Sequence, residues 1–206
     1  MITLFIDTSS SDVSIALIKD NIILSKIVEC IPNKHSVYTV SYIDKVLKKA
    51  NKDVSDVQRI MVVNGPGSFT GVRIGVTIAK VYAYLEKIDI ICVSSLKMRA
   101  ISRNEDCVLS LIDAHHNHYY MGLYDKNKDE VIKEGFYEKE DVLKVIDKYS
   151  PKIVSDIDIK IDNIEVNKQE LDIVKIVSYY NDSEIMNPHL VNPNYLKLPQ
   201  ALEELK

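Results

Sequence analysis

Ile60-Met61-Val62-Val63-Asn64-Gly65-Pro66-Gly67-Ser68-Phe69-Thr70-Gly71-Val72-Arg73-Ile74-Gly75 is the stretch on which the fold turns. Residues 60–63 read as a short buried strand, 64–71 as a tight loop and 72–87 as a helix. Four of the chain's six glycines fall between Gly65 and Gly75. Glycine costs conformational entropy, so it is kept where φ is positive or where another group comes close. The helix has a narrow polar stripe, Arg73, Thr77, Lys80 and Lys87, and Val72, Ile74, Val76, Ile78, Val81, Tyr82 and Leu85 fill the rest of its circumference. A helix apolar nearly all round is covered on more than one side. Gly71, Gly75, Ala79 and Ala83 recur every four residues as a ridge of small side chains that admits a second helix at close range. Two readings follow. The helix is buried inside its own domain against a neighbouring helix, or it is shared between the core and a partner subunit.

Upstream, residues 2–6, 13–18 and 22–28 are apolar runs separated by Asp7-Thr8-Ser9-Ser10-Ser11-Asp12 and Lys19-Asp20-Asn21, the pattern of an antiparallel meander. Residues 36–50 carry Val40, Ile43, Leu47 and Ala50 at helical spacing. Downstream, 88–93 reads as a strand, and Ser94-Ser95 are placed to cap a short helix over 96–103. Beyond Asn104 the pattern gives strands at 107–112, 118–123 and 131–137, then a helix at 139–149. Short strands at 152–155 and 161–166 and a helix at 170–180 follow. From Asn187 the chain reads as extended, with Pro188, Pro193 and Pro199 opposing a helix. The expected organisation is an N-terminal lobe, 1–104, and a smaller second lobe, 105–206.

The charge divides along the same line. Residues 1–104 hold 14 Lys and Arg against 9 Asp and Glu, whereas 105–206 hold 12 against 21. A net acidic chain without a strong basic cluster is a poor candidate for binding nucleic acid unaided, since that affinity rests on phosphate neutralisation. The longest run without a charge is the 13 residues between Arg59 and Arg73, too short to cross a bilayer. The stretch Met1 to Asp7 has no basic leader, so no secretion signal and a cytoplasmic location are expected. Three widely spaced cysteines, Cys30, Cys92 and Cys107, suggest reduced thiols.

Three stretches invite chemistry. The turn at 7–12 offers Asp7 to a magnesium ion and hydroxyls to a phosphate, or it is a hydrogen-bonded turn. The loop at 65–71 resembles a phosphate loop at a helix N-terminus. It lacks the Gly-Lys-Ser/Thr of a P-loop, and its third glycine comes one residue late for a dinucleotide fingerprint. His115, His116 and His118 form the only histidine cluster, with His116 and His118 placed to share one face of a strand. Two histidines without a third ligand make a poor metal site. His35 has no histidine four residues on.

Together, Asp7-Thr8-Ser9, His35 and above all Gly65-Pro66-Gly67-Ser68-Phe69-Thr70-Gly71-Val72-Arg73-Ile74-Gly75 resemble the TsaB family, also called YeaZ. Asp113-Ala114, Tyr120 and Pro193-Asn194-Tyr195-Leu196-Lys197 resemble its second-lobe signatures. His115 and Lys197 stand where the family usually has arginine. The resemblance implies an α/β, actin-like, ribonuclease-H-like fold of two related lobes, each with a mixed sheet and helices. It implies a part in attaching a threonylcarbamoyl group to the adenosine beside the anticodon of tRNA. In that pathway TsaC makes the adenylate, TsaD transfers the group and TsaE is a small ATPase. TsaB is a non-catalytic platform that pairs with TsaD or with itself, through the helices that correspond to 36–50 and 70–87.

The expected partner-binding residues are therefore Val40, Ile43 and Leu47 with Gly67, Ser68, Phe69, Thr70, Gly71, Val72, Arg73, Gly75, Val76, Ala79, Tyr82 and Ala83. No catalytic residue and no metal ligand is expected. No cofactor held tightly by this chain alone is expected either, although a nucleotide at a mixed-subunit interface is compatible with the fold. TsaD, TsaE and a second copy are the expected partners, tRNA is met only through the complex, and no membrane is involved. The rival readings are an ATP-binding sugar-kinase-like enzyme and a metalloprotease.

Overall fold

The computed structural model describes residues 1–197. Two compact units emerge among the described residues, Met1–Ser95 together with Asp172–Pro193, and Leu96–Leu171 together with 194–197. The expected single cut after residue 104 thus gives way to a discontinuous first unit, because Val191 is fully buried in that unit's core.

The first unit begins with the expected meander, β1 (Ile2–Asp7), β2 (Asp12–Lys19) and β3 (Ile22–Cys30), paired antiparallel in turn. Helix α1 (His35–Lys49) leads through a 3-10 turn (Val54–Asp56) to β4 (Arg59–Gly65), helix α2 (Phe69–Glu86) and β5 (Asp89–Ser94). β4 joins β1 in parallel and β5 joins β4, giving the sheet order β3-β2-β1-β4-β5. Alternation along the strands sorts the side chains. Leu4, Ile6, Ile15, Leu17, Ile60, Val62 and Ile90 share one core with Ile43, Val46 and Leu47 of α1 and Val72, Val76, Ala79 and Ala83 of α2.

α2 starts three residues earlier than the pattern predicts, at Phe69 instead of Val72. Ser68 caps it, its hydroxyl oxygen accepting from the Gly71 N–H at 3.2 Å. A side-chain oxygen at the N-cap satisfies one of the free donors of the first turn. The tail is not simply extended: Pro188–Leu190 form one 3-10 turn with proline at its start. Pro199 lies outside the described residues. Ser95 does not cap α3 (Ser95–Ile101) as expected, because its hydroxyl donates to the Pro66 carbonyl.

In the second unit β6 (Val108–Asp113), β7 (His118–Tyr124), β8 (Glu130–Glu138) and β9 (Lys152–Ser155) form a sheet in the order β8-β7-β6-β9. Helix α4 (Lys139–Tyr149) precedes β9, and the short pair β10 (Ile159–Ile161) and β11 (Ile164–Val166) follows it. Leu109, Leu111, Met121, Leu123 and Val142 anchor its core. Helix α5 (Ile173–Tyr179) then belongs to the first unit, where Arg59 at the start of β4 donates to the Asn181 carbonyl at 3.0 Å.

Candidate functional site: the outer face of the two long helices

The glycine loop and the Asp7 turn form one device. The Asp7 carboxylate accepts from the Ser9 N–H at 2.8 Å and from its hydroxyl at 2.7 Å. Ser68 N–H donates to the Ser9 carbonyl at 2.7 Å, and the Thr8 hydroxyl to the Gly71 carbonyl at 2.7 Å. A Cβ on Gly67 would strike the Ser9 carbonyl, one on Gly71 the Thr8 carbonyl, and one on Gly75 the Thr8 hydroxyl. The polar groups expected to greet a phosphate are therefore spent on locking the β1–β2 turn against the start of α2. His35 joins the lock, its Nε2 lying 2.9 Å from the Ser10 carbonyl.

This arrangement corrects the reading of the small-residue ridge. Gly71, Gly75, Ala79 and Ala83 are buried against their own unit, as are Val72 and Val76. Ile43 and Leu47 of α1 face the same core. The ridge admits the sheet and the Thr8 turn; it is not offered to a partner. Of the residues expected to bind one, Val40, Ser68, Phe69, Thr70 and Arg73 face outward, and Gly67 and Tyr82 are half-buried.

The structure brings others to that outer face. Val37 and Val40 of α1 are 67% and 50% exposed, and Phe69, Val81 and Leu85 of α2 are 49%, 50% and 67% exposed. Ile74, Ile78 and Tyr82 lie half-buried among them. Arg73 holds its guanidinium 3.9 Å from the centre of the Phe69 ring. Burial, with Asp44 of α1 adding to it, raises the Tyr82 hydroxyl above the usual tyrosine range. These exposed apolar side chains make the outer sides of α1 and α2 the candidate surface. Val37 and Tyr84 were not singled out from sequence, and Val81 and Leu85 were read only as part of the apolar circumference of α2. The available signal was Val37, which falls outside the helical spacing of Val40, Ile43, Leu47 and Ala50; Val40, expected on that apolar face, is instead exposed.

Along α2 the returning tail meets one residue of the polar stripe, Lys80. Lys80 donates to the Val191 carbonyl at 2.8 Å, and the Tyr84 ring meets His189 edge-on at 5.0 Å. At the far side of α1 the Tyr42 hydroxyl donates to Glu29 at 2.7 Å. That bond, with burial behind it, pushes the Tyr42 hydroxyl up to about 12.

The histidines do not assemble a site. His116 lies in the turn before β7, not on the strand, so it does not share a strand face with His118. His118 stacks on Phe136 at 4.7 Å, and Lys197 places its ammonium 4.8 Å from the same ring. Asp113 accepts from the His115 N–H at 2.8 Å. Among the described residues no three His, Cys, Asp or Glu side chains gather where they could hold a metal ion. The three cysteines are free, and burial pushes the Cys92 thiol up to about 11. No helix among the described residues is long and apolar enough to cross a membrane.

Residues 27–180 match the family model described as TsaD: tRNA N6-adenosine threonylcarbamoyltransferase. The chain is 37% identical over 126 residues to the Bacillus subtilis tRNA threonylcarbamoyladenosine biosynthesis protein TsaB, across 60% of this chain and 55% of that protein. It is 30% identical over 130 residues to TsaB of Escherichia coli, across 61% of this chain and 56% of that one. The matches thus span little more than half the length of these curated relatives. The fold is that of YeaZ from Pseudomonas aeruginosa, with a TM-score of 0.77 at 22% identity over 95% of this chain and 99% of that chain. The 3-2-1-4-5 sheet order goes with that fold, and the match over residues 27–180 decides the family: the chain belongs to the family described as TsaD: tRNA N6-adenosine threonylcarbamoyltransferase, and within it is similar to TsaB/YeaZ proteins.

Proposed function

We propose that this chain is a non-catalytic pairing subunit of the machinery that makes threonylcarbamoyladenosine in tRNA. In this reading it docks on the TsaD transferase through the outer face of α1 and α2, and a second copy of the chain occupies that face when TsaD is absent. The observation that carries the reading is the apolar strip of Val37, Val40, Phe69, Val81 and Leu85, left exposed by two helices whose inner faces are already filled. Each such side chain contributes about 1.5–3 kcal/mol when buried, before the costs of association.

The inward bonding of Asp7, Thr8 and Ser9 supports a platform over a catalyst, since these groups stabilise the α2 junction. TsaE and tRNA join through the assembled complex in the cytoplasm, and any nucleotide sits at the mixed-subunit interface. The test pairs the double variant Val40→Glu, Val81→Glu with TsaD of the same organism. The expected variant keeps its circular dichroism, no longer co-elutes with TsaD and fails to restore modified tRNA. Co-elution of the variant at wild-type affinity, or turnover of ATP by the chain alone, overturns the reading.

A further inference from the structure

A cleft of about 330 Å³ opens at the outer edge of the first unit, where β3 ends and α1 begins. That size lies at the lower end of the range for small-molecule sites. Its lining includes one acid, Glu29, and one base, Lys34. The rest of the lining is Cys30, Ile31, Pro32 and the rings of Tyr38 and Tyr42, whose centroids are 5.6 Å apart at 19°.

The carboxylate is oriented in advance. The Tyr42 hydroxyl donates to Glu29 Oε2 at 2.7 Å, and Tyr42 itself is only 5% exposed, so it holds the acid in one position. Among the described residues no ion pair joins Glu29 to Lys34. Lys34 stands directly before α1, whose first turn has no acidic residue to neutralise it.

These groups select by charge. A simple cation attracted to Glu29 meets Lys34, and a simple anion attracted to Lys34 meets Glu29. A molecule that carries both an ammonium and a carboxylate answers both charges, and an apolar side chain on it suits the tyrosine, isoleucine and proline lining. We propose that the cleft binds a free α-amino acid as its zwitterion, with Glu29 receiving the ammonium, Lys34 the carboxylate and Tyr38 the side chain. The site is separate from the outer helix face and does not depend on the pairing reading.

The test titrates the isotope-labelled full chain with L-leucine, with isoamylamine, which lacks the carboxylate, and with isocaproate, which lacks the ammonium. Backbone amide shifts of residues 29–42 report binding. L-leucine is expected to shift them at millimolar concentration, with both analogues at least about tenfold weaker. Glu29→Gln is expected to bring L-leucine down to the level of isocaproate, and Lys34→Gln to that of isoamylamine. Both replacements are on exposed side chains, and unchanged shifts elsewhere verify the fold. No shift with L-leucine, or equal binding of either analogue, overturns the proposal.

Discussion

Adding one methyl group at Gly75 is expected to destabilise the first unit, although alanine favours a helix over glycine by about 1 kcal/mol. The new Cβ would run into the Thr8 hydroxyl, which donates to the Gly71 carbonyl at 2.7 Å in a buried site. Thr8 must then rotate, and the rotation that relieves the clash breaks the bond. An unmade buried bond costs about 1–3 kcal/mol, and forcing a group into a packed core costs a similar amount. The two overlap here, so the larger sets the scale, about 2–3 kcal/mol. After the helix gain, Gly75→Ala loses about 1–2 kcal/mol. Thr8→Ala removes the obstacle: the nearest remaining atom, the residue-8 Cβ, is 3.5 Å from the added methyl, an ordinary contact. In that background Gly75→Ala is expected to stabilise by about 1 kcal/mol. The coupling between the two sites is then about 2–3 kcal/mol, at the upper end for neighbouring residues. Urea unfolding followed by circular dichroism reads it as shifts in midpoint at unchanged slope. A neutral or stabilising Gly75→Ala in the wild-type chain, with effects additive to Thr8→Ala, would refute the inward packing of the ridge.

Three further outcomes follow from the same geometry. Ser68→Ala removes the cap on Gly71 N–H and is expected to cost about 1 kcal/mol in the same urea assay. Lys80→Met keeps the stem but drops the ammonium that holds the Val191 carbonyl. Amide exchange at Leu190 and Val191 is expected to accelerate while that of β1 stays unchanged. Tyr42 titrates near pH 12, raised from 10.0 chiefly by its bond to Glu29. Because the folded value is the higher one, the neutral hydroxyl stabilises the fold fully below about pH 10, and this is lost as the pH rises to about 12. Ultraviolet titration of Glu29→Gln is expected to bring that ionisation down towards the ordinary tyrosine range.

The structure reassigns a pattern that was visible from the start. The four-residue spacing of Gly71, Gly75, Ala79 and Ala83 predicts a close approach; Gly71 and Gly75 make one to Thr8, and Ala79 and Ala83 are buried in the same core. Spacing shows which residues share a helix face; it does not say what meets that face. A backbone turn such as Thr8-Ser9 and a neighbouring helix make the same demand for small side chains, and only the folded chain distinguishes them. The outer strip was harder to see for a related reason. Val37 lies outside the apolar spacing of α1, Val40 shares that spacing yet is exposed, and single exposed apolar residues are common and carry little information alone. They acquire meaning only beside α2, which packs against α1 and leaves Phe69, Val81 and Leu85 exposed as well.

Local rules were enough for most of the element order. The meander, the strand–loop–helix at residues 59–86 and the β6–β9 sheet strands all rest on alternation, helical period and turn residues, whose reach is a few positions. The return of the tail to the first unit rests on contacts such as Lys80 to Val191, 111 residues apart, and no local pattern encodes them. The same holds for Tyr42 and Glu29, which meet because a helix packs beside an edge strand. Short-range sterics and hydrogen bonding are written in neighbouring residues. The choice of which apolar face is buried is made by the whole core at once, and so it belongs to the tertiary structure.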